Sequence, residues 1–255
     1  MKNALLIPAI AWILLTLVCL TFIFIGLNAA LKKAGRERKL SRKILLQAIV
    51  IVALWTVVLL MLSTKGFFAD FNTLPPRPAL AIIIPLPFVL LITFSKRGTE
   101  LLTSTPPQWI VFMQSFRIGV ELLLLLAFMK NMFPVQMTFE GRNFDIITGL
   151  LALPVGYLLA SKKPNARKLA IAFNIIGLLL LLNILVIAVL SMPTSFRHFM
   201  NEPANTLVAE FPFILLPGVL VPIAYTLHIF SLRQLLTSEK KITYNLGKHV
   251  HDVVQ

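Results

Sequence analysis

Gln114, Arg117 and Glu121 lie inside a long apolar run at positions i, i+3 and i+7. On a helix, that spacing projects all three from one stripe. Arg117 stands roughly nine residues in from one end of the run, near the middle of a layer about 30 Å thick. A charge at that depth costs several kcal/mol unless it is paired or hydrated. Two chemistries meet the cost. Arg117 and Glu121, one turn apart, form a salt bridge that locks the helix among its neighbours. Otherwise they belong to a polar pocket in which Arg117 receives an anionic or hydrogen-bonding group. Tyr225 and His228 form a second i, i+3 pair in the last apolar run, and Asp145, Thr148 and Gly149 share a face in the fifth. A histidine beside a buried carboxylate is suited to proton relay, while a lone one serves as a hydrogen-bonded packing residue. Asn174 and Asn183 are nine residues apart in the sixth run and point to opposite faces, so they do not both line one site.

A second set of polar residues falls between the runs. Glu140, Gly141, Arg142 and Asn143 precede Asp145, and Arg197, His198, Glu202, Asn205 and Glu210 follow the sixth run. Gly141 permits a tight turn that directs Glu140 and Arg142 over the mouth of a bundle. Pro193 and Pro203 bracket a segment readable as a short helix, on which His198 and Glu202 share a face. Two ligands at that spacing are too few for a metal site, and none is assigned; an i, i+4 pair on a solvated helix is the plainer reading.

The elements that must carry these residues are seven apolar spans, at 4–27, 44–63, 79–95, 108–130, 144–160, 168–190 and 211–233. An apolar helix of about 20 residues crosses the hydrocarbon layer. None of the runs shows the alternation of barrel strands, so an all-α integral membrane protein is expected. The spans and their connections form one transmembrane domain over 1–233, with a short tail at 234–255 expected to be partly disordered. Pro85 and Pro87 fall near the middle of the third span, and Pro212, Pro217 and Pro222 in the seventh. Each proline removes a helical hydrogen bond and clashes with the preceding turn, which predicts kinks whose freed carbonyls find partners in the protein or in a watery cavity.

Charge sets the orientation. Seventeen of the 24 Lys and Arg residues fall in alternate gaps between the spans, at 32–43, 96–97, 162–168 and 233–248. Six fall in the opposite set (Lys2, Lys65, Arg77, Lys130, Arg142 and Arg197), and Arg117 lies within a span. Basic loops resist translocation, so the N-terminus is predicted outside and the C-terminus in the cytoplasm of an inner or plasma membrane. The first run, Ala4 to Leu27, is too long for a signal-peptide core and is read as a retained helix. The net charge of +14 is then a topology signal with a secondary affinity for anionic lipid headgroups; no nucleic-acid partner is expected.

Composition agrees: 58% of residues are hydrophobic, 13% are charged and the mean hydropathy is +0.86, far from a soluble domain. Cys19 is the single cysteine and forms no intramolecular disulfide. No phosphate-binding glycine loop, zinc-protease motif, haem-attachment motif or nucleophile elbow occurs, and the seventh span has no lysine for a retinal Schiff base. No cofactor is expected, and His249 and His251 in the tail read as incidental.

Lys32-Lys33 through Leu40 is echoed by Lys162-Lys163 through Leu169, and Phe94-Ser95-Lys96-Arg97 by Phe230-Ser231-Leu232-Arg233. Offsets of 130 and 136 residues suggest a parallel duplication of three helices around a linking fourth; chance matches among basic loops are the alternative. The layout is similar to the three-one-three plan of small sugar and vitamin permeases, although the Pro-Gln signature of such proteins is absent from the first and fifth spans. Superposition of helices one to three on five to seven is the expected consequence.

Three functions fit these residues. The leading one is a transporter or permease with an outward-facing pocket, built from Gln114, Arg117, Glu121, Asp145, Tyr225 and His228, for a small polar or anionic solute. A membrane-embedded enzyme would use Glu140, Asp145, His198, Glu202 and Glu210 on a lipid or lipid-linked substrate. A receptor or non-catalytic subunit would bury its helix faces against copies of itself or a complex partner.

Overall fold

A computed structural model describes residues 6–237. The tail at 234–255, with His249 and His251, lies largely outside the described residues. Among those described there is no strand: the chain is helical, and six helices are long and apolar enough to cross a membrane. Helix α1 covers Lys2–Lys33 and α2 covers Arg38–Thr64. The third span is two pieces, α3 (Arg77–Ile83) and α4 (Pro85–Phe94). A short amphipathic helix, α5 (Lys96–Ser104), lies where a basic loop was expected. The fourth span is also broken, into α6 (Pro107–Met113) and α7 (Phe116–Met129). Then come α8 (Asp145–Ala160) and α9 (Ala166–Leu190). A π turn at Leu216–Leu220 leads into α10, Val221–Val253.

The fifth expected span falls short. Helix α8 has 16 residues, about 24 Å of rise against a hydrocarbon layer of about 30 Å. Its first residue, Asp145, is already buried, as are Gln136, Met137, Thr138 and Asn143 in the connection before it. The connection therefore dips into the bundle and supplies irregular backbone where the helix has not yet begun. Irregular backbone is tolerated at such depth when protein covers it.

The proline expectations have a clear physical counterpart. Pro212, Pro217 and Pro222 are five residues apart, and the backbone widens between them until the Val221 N–H reaches back five residues to the Leu216 carbonyl. Pro222 cannot donate to the Gly218 carbonyl four residues earlier. The Trp55 indole N–H from α2 donates to it instead, at 2.8 Å. Close contact makes that possible: a Cβ on Gly218 would stand 2.4 Å from Leu59 Cδ1. At the α3–α4 break, beside Pro85, the Ile82 carbonyl accepts from the Tyr225 hydroxyl at 3.2 Å.

The break in the fourth span was not anticipated, because no proline or glycine marks residues 113–116. There the amides of Gln114, Ser115, Arg117 and Ile118 bond three residues back, tightening the turn. The stripe expected from an unbroken helix is thus divided between two pieces.

Helix α9 packs along both α8 and α10, while α2 packs on α1, on the turn at Phe67–Ala69 and on the π turn.

The basic ends of the helices are tied together through α5. Arg36 pairs with Glu100, the Gln234 amide donates to the carbonyls of Leu102 and Thr105, and the Arg167 guanidinium donates to the Leu235 carbonyl at 2.5 Å.

Candidate functional site

Arg117, at the start of α7, is 2% exposed and 2.9 Å from Asp145 through Nε and Oδ2. Its Nη1 lies 3.0 Å from His228 Nε2. Arg117 does not bridge to Glu121 one turn on, as the i, i+4 spacing suggested. Its ionic partner is Asp145, brought in by the start of α8 where the buried connection ends. Glu121 is held differently: Oε1 accepts from Asn143 Nδ2 at 2.6 Å, and the same amide donates to the Met137 carbonyl at 3.0 Å. Asn143 Oδ1 in turn accepts from the Asp145 backbone N–H at 3.0 Å. One asparagine therefore holds the Glu121 carboxylate and the backbone amide of Asp145.

The hydrogen bonds assign the histidine tautomer. Guanidinium groups only donate, so Nε2 of His228 accepts from Arg117. The proton then sits on Nδ1, which donates to Asn174 Oδ1 at 2.9 Å. Asn174 Nδ2 completes the chain by donating to Ser231 Oγ at 2.8 Å and to the Ala170 carbonyl at 2.6 Å. His228 is a neutral, oriented spacer between Arg117 and Asn174. Room for its ring comes from Gly177, where a Cβ would stand 2.4 Å from His228 Cε1.

The remaining pocket candidates sit elsewhere. Gln114 is fully buried but donates to the Ala224 carbonyl at 3.1 Å, joining the tightened turn to α10. Tyr225 serves the α3–α4 break. Asn174 and Asn183 do point apart: Asn183 donates to the Arg142 carbonyl at 3.0 Å. Sequence reading missed Asn143, Asn174 and Ser231 as members of the cluster. Asn143 had a usable signal, since an asparagine two residues before a buried helix-initiating Asp caps that turn. Asn174 had a weaker one in Ala170 and Gly177, small residues on its own face.

The outer set does not come together. Glu140, Arg142, His198, Glu202 and Glu210 are all exposed. Residues 194–203 are not helical, so the shared face expected for His198 and Glu202 does not exist. Two prolines and the turns between them leave too few consecutive helical bonds. Glu202 instead pairs with Arg197 at 3.0 Å and accepts from the Ala204 amide at 2.9 Å. His198 stands edge-on to Phe199. The turn at Gly141 forms as expected and places the Arg142 guanidinium 5.3 Å above the Phe199 ring. Among the described residues, no group of three His, Cys, Asp or Glu side chains is placed to hold a metal ion.

A cavity of about 730 Å³, mouth included, opens onto the buried cluster. Arg117, Glu121, Asn143, Asp145 and Asn205 are its polar residues, and the other nineteen are apolar or proline side chains from α3, α7, α9, the connections before α8 and after α9, the π turn and the start of α10. Three buried atoms of these lining residues lack any partner in the protein: Arg117 Nη2, Glu121 Oε2 and Asp145 Oδ1. Orphaned polar atoms at this depth are expensive unless something supplies the missing bonds. His228 is not in the lining; it stands behind Arg117.

Residues 74–236 match the family model described as a domain of unknown function, DUF8737. The chain belongs to that family. No curated protein and no solved structure matches it. The matched segment of the DUF8737 member runs from the residues before α3 into α10 and contains the whole buried cluster and its cavity, but neither α1 nor α2.

Proposed function

We propose that the protein crosses an inner or plasma membrane seven times, N-terminus outside and C-terminus cytoplasmic, and that its cavity opens outward to bind or move a small solute with a hydrogen-bonding head. The carrying observation is the polar end of the cavity: three ionisable side chains, each almost wholly buried, each keeping one polar atom unpartnered. Asymmetry of the basic residues supports the orientation. Helix α8 completes the crossing with the partly buried connection at 131–144 as its outer half. Arg117 offers a donor, Glu121 and Asp145 offer acceptors, and His228 and Asn174 hold Arg117 from behind. In this reading the breaks at α3–α4, α6–α7 and the π turn are the joints that rearrange when the solute passes, since Ile82 at one break and Gln114 at another bond Tyr225 and Ala224 in the start of α10, just after the π turn.

Cysteine accessibility in sealed cells tests both parts. In a Cys19→Ala background, Val120→Cys places a thiol in the cavity wall and Gly35→Cys places one between α1 and α2. A membrane-impermeant thiol reagent added outside is expected to modify position 120 and to spare position 35 until the cells are permeabilised. Strong labelling at 35 from outside would refute the orientation. Protection of 120 from outside in folded protein would remove the outward-facing pocket.

A further inference from the structure

Resting on that pocket, we infer that the ligand is an uncharged amphiphile, a straight apolar chain ending in a hydroxyl or carboxamide, which reaches the site sideways from the outer leaflet. The wall composition carries the first part. Nineteen of the lining residues are apolar or proline, and the five polar ones include the buried cluster. A sugar or a free ion would leave its own polar groups facing Leu181, Ile184 and Leu220 without partners, which is unfavourable. An apolar chain meets that wall without such loss.

Charge selects the head. Arg117 is already paired with Asp145 at 2.9 Å, and Glu121 brings a second carboxyl group to the same end of the cavity. No positive charge is left over for an anion. An ammonium head would be brought against the guanidinium. A hydroxyl or a primary amide both donates and accepts, which answers Arg117 Nη2 on one side and Glu121 Oε2 or Asp145 Oδ1 on the other.

Helix placement gives the route. The cavity is lined on one side by Pro78, Ala79 and Ile82 of α3 and on the other by Leu185, Ala188 and Val189 of α9. Helix α3 packs chiefly on α4 and the π turn, and α9 chiefly on α8 and α10; the π turn and the start of α10 close the cleft behind them. Ile83, Leu182 and Val186 flank it, exposed by 48%, 57% and 49%. Exposed aliphatic side chains on helices of this length belong against lipid, so the cleft meets the acyl region of the bilayer.

Photolabelling of the full chain in phosphatidylcholine vesicles tests the inference. The probe is decanol carrying a diazirine at its chain end. Label is expected on the α3 and α9 residues that line the cleft, reduced at least fivefold by a tenfold excess of decanol or decanamide. Decane, decanoate and decylamine should compete at least threefold less well. Ala188→Trp fills the cleft and should lower cavity labelling at least fivefold while leaving labelling of Leu182 unchanged. Leu185→Phe serves the same purpose if the tryptophan variant does not fold. Labelling confined to Leu182 and Val186, or decane competing as well as decanol, would overturn the inference. Thiol access to Val120→Cys separates the two readings: retained access with failed labelling removes only the lipid-borne ligand, and loss of access removes the pocket as well.

Discussion

The hairpin of α1 and α2 and the segment at 74–236 solve the problem of living in an apolar medium in opposite ways. Within the hairpin, the buried polar side chains are the hydroxyls of Thr16, Ser41 and Ser63. Two of these are met by backbone carbonyls: Thr16 donates to Trp12 and Ser63 to Ala209. The later segment buries arginine, two carboxylates, a histidine, glutamines and asparagines. Only 6% of the most apolar stretch of α2 is covered by protein, against 61% for the helix at 216–237. A helix that is apolar on every side needs nothing from its neighbours. One that carries charge must be surrounded, and its surroundings have to be polar in the right places. The family boundary falls between the two regions, at residue 74. The hairpin is therefore a brace for the polar core: α1 packs along α5, α6 and α7, and α2 reaches the π turn and the stretch before it through Trp55, Leu59 and Ser63.

The sharpest way to break this comparison is to remove one member of the buried ion pair. Asp145→Ala leaves the Arg117 guanidinium in the core with only His228 as a partner. Breaking a buried pair from one side costs about 3–5 kcal/mol, and that loss is expected in reversible unfolding of the protein in mixed detergent micelles. The double variant Arg117→Met with Asp145→Leu removes both charges and should recover most of the loss, because paired charges add little net stability when buried. If the single variant unfolds like the parent, the cluster is hydrated and the contrast between the regions is false.

How far the sequence led can be judged on the same residues. Arg117, Glu121, Asp145 and His228 were legible because ionisable side chains in apolar runs stand out by cost alone. Their pairing was not. The i, i+4 rule assumes an unbroken helix, and a helix tightened at Gln114–Ser115 with a buried connection leading into Asp145 offered Arg117 a better partner. The tightened turn has no proline or glycine signature, and Pro134 and Gly141 mark turns in the connection without saying that it is buried. The bends at Pro85 and Pro217–Pro222 were legible, since a missing N–H is written in the sequence. Which group would answer the Gly218 carbonyl was not, because Trp55 is 163 positions away in the chain. Long-range partners are the part of a fold that periodicity does not encode. The apolar character of the cavity escaped for a related reason: the stripe on the fourth span was polar, but most of the wall comes from faces of α3, α9 and the π turn that look like ordinary lipid-facing surface in isolation.

A middle-sized effect sharpens the brace. Trp55→Phe keeps most of the ring but withdraws the donor from the Gly218 carbonyl, which Pro222 already leaves without its helical partner. An unmet buried carbonyl costs about 1–3 kcal/mol. The expected loss of stability is of that size, smaller than for Asp145→Ala, and the π turn should exchange its amide hydrogens faster. A cost equal to that of Asp145→Ala would make the hairpin part of the core rather than its support.

The smallest effect belongs to the outer loops. Glu202 meets Arg197 at 3.0 Å with its own side chain 73% exposed, although that of Arg197 is 13% exposed. An exposed pair is worth about 0–1 kcal/mol, and salt weakens it further. Glu202→Gln keeps a side-chain oxygen for the Ala204 amide and removes only the charge. Its stability should match the parent within about 1 kcal/mol, and labelling of Val120→Cys from outside should be unchanged. His198→Ala should behave alike, since its ring rests only against Phe199. If either substitution abolishes cavity access or ligand labelling while the protein stays folded, the outer residues belong to the working site. Glu202 and His198 would then have to approach each other in a state of the outer connection different from the extended one at 194–203, and the enzyme reading would regain the carboxylate and imidazole it requires.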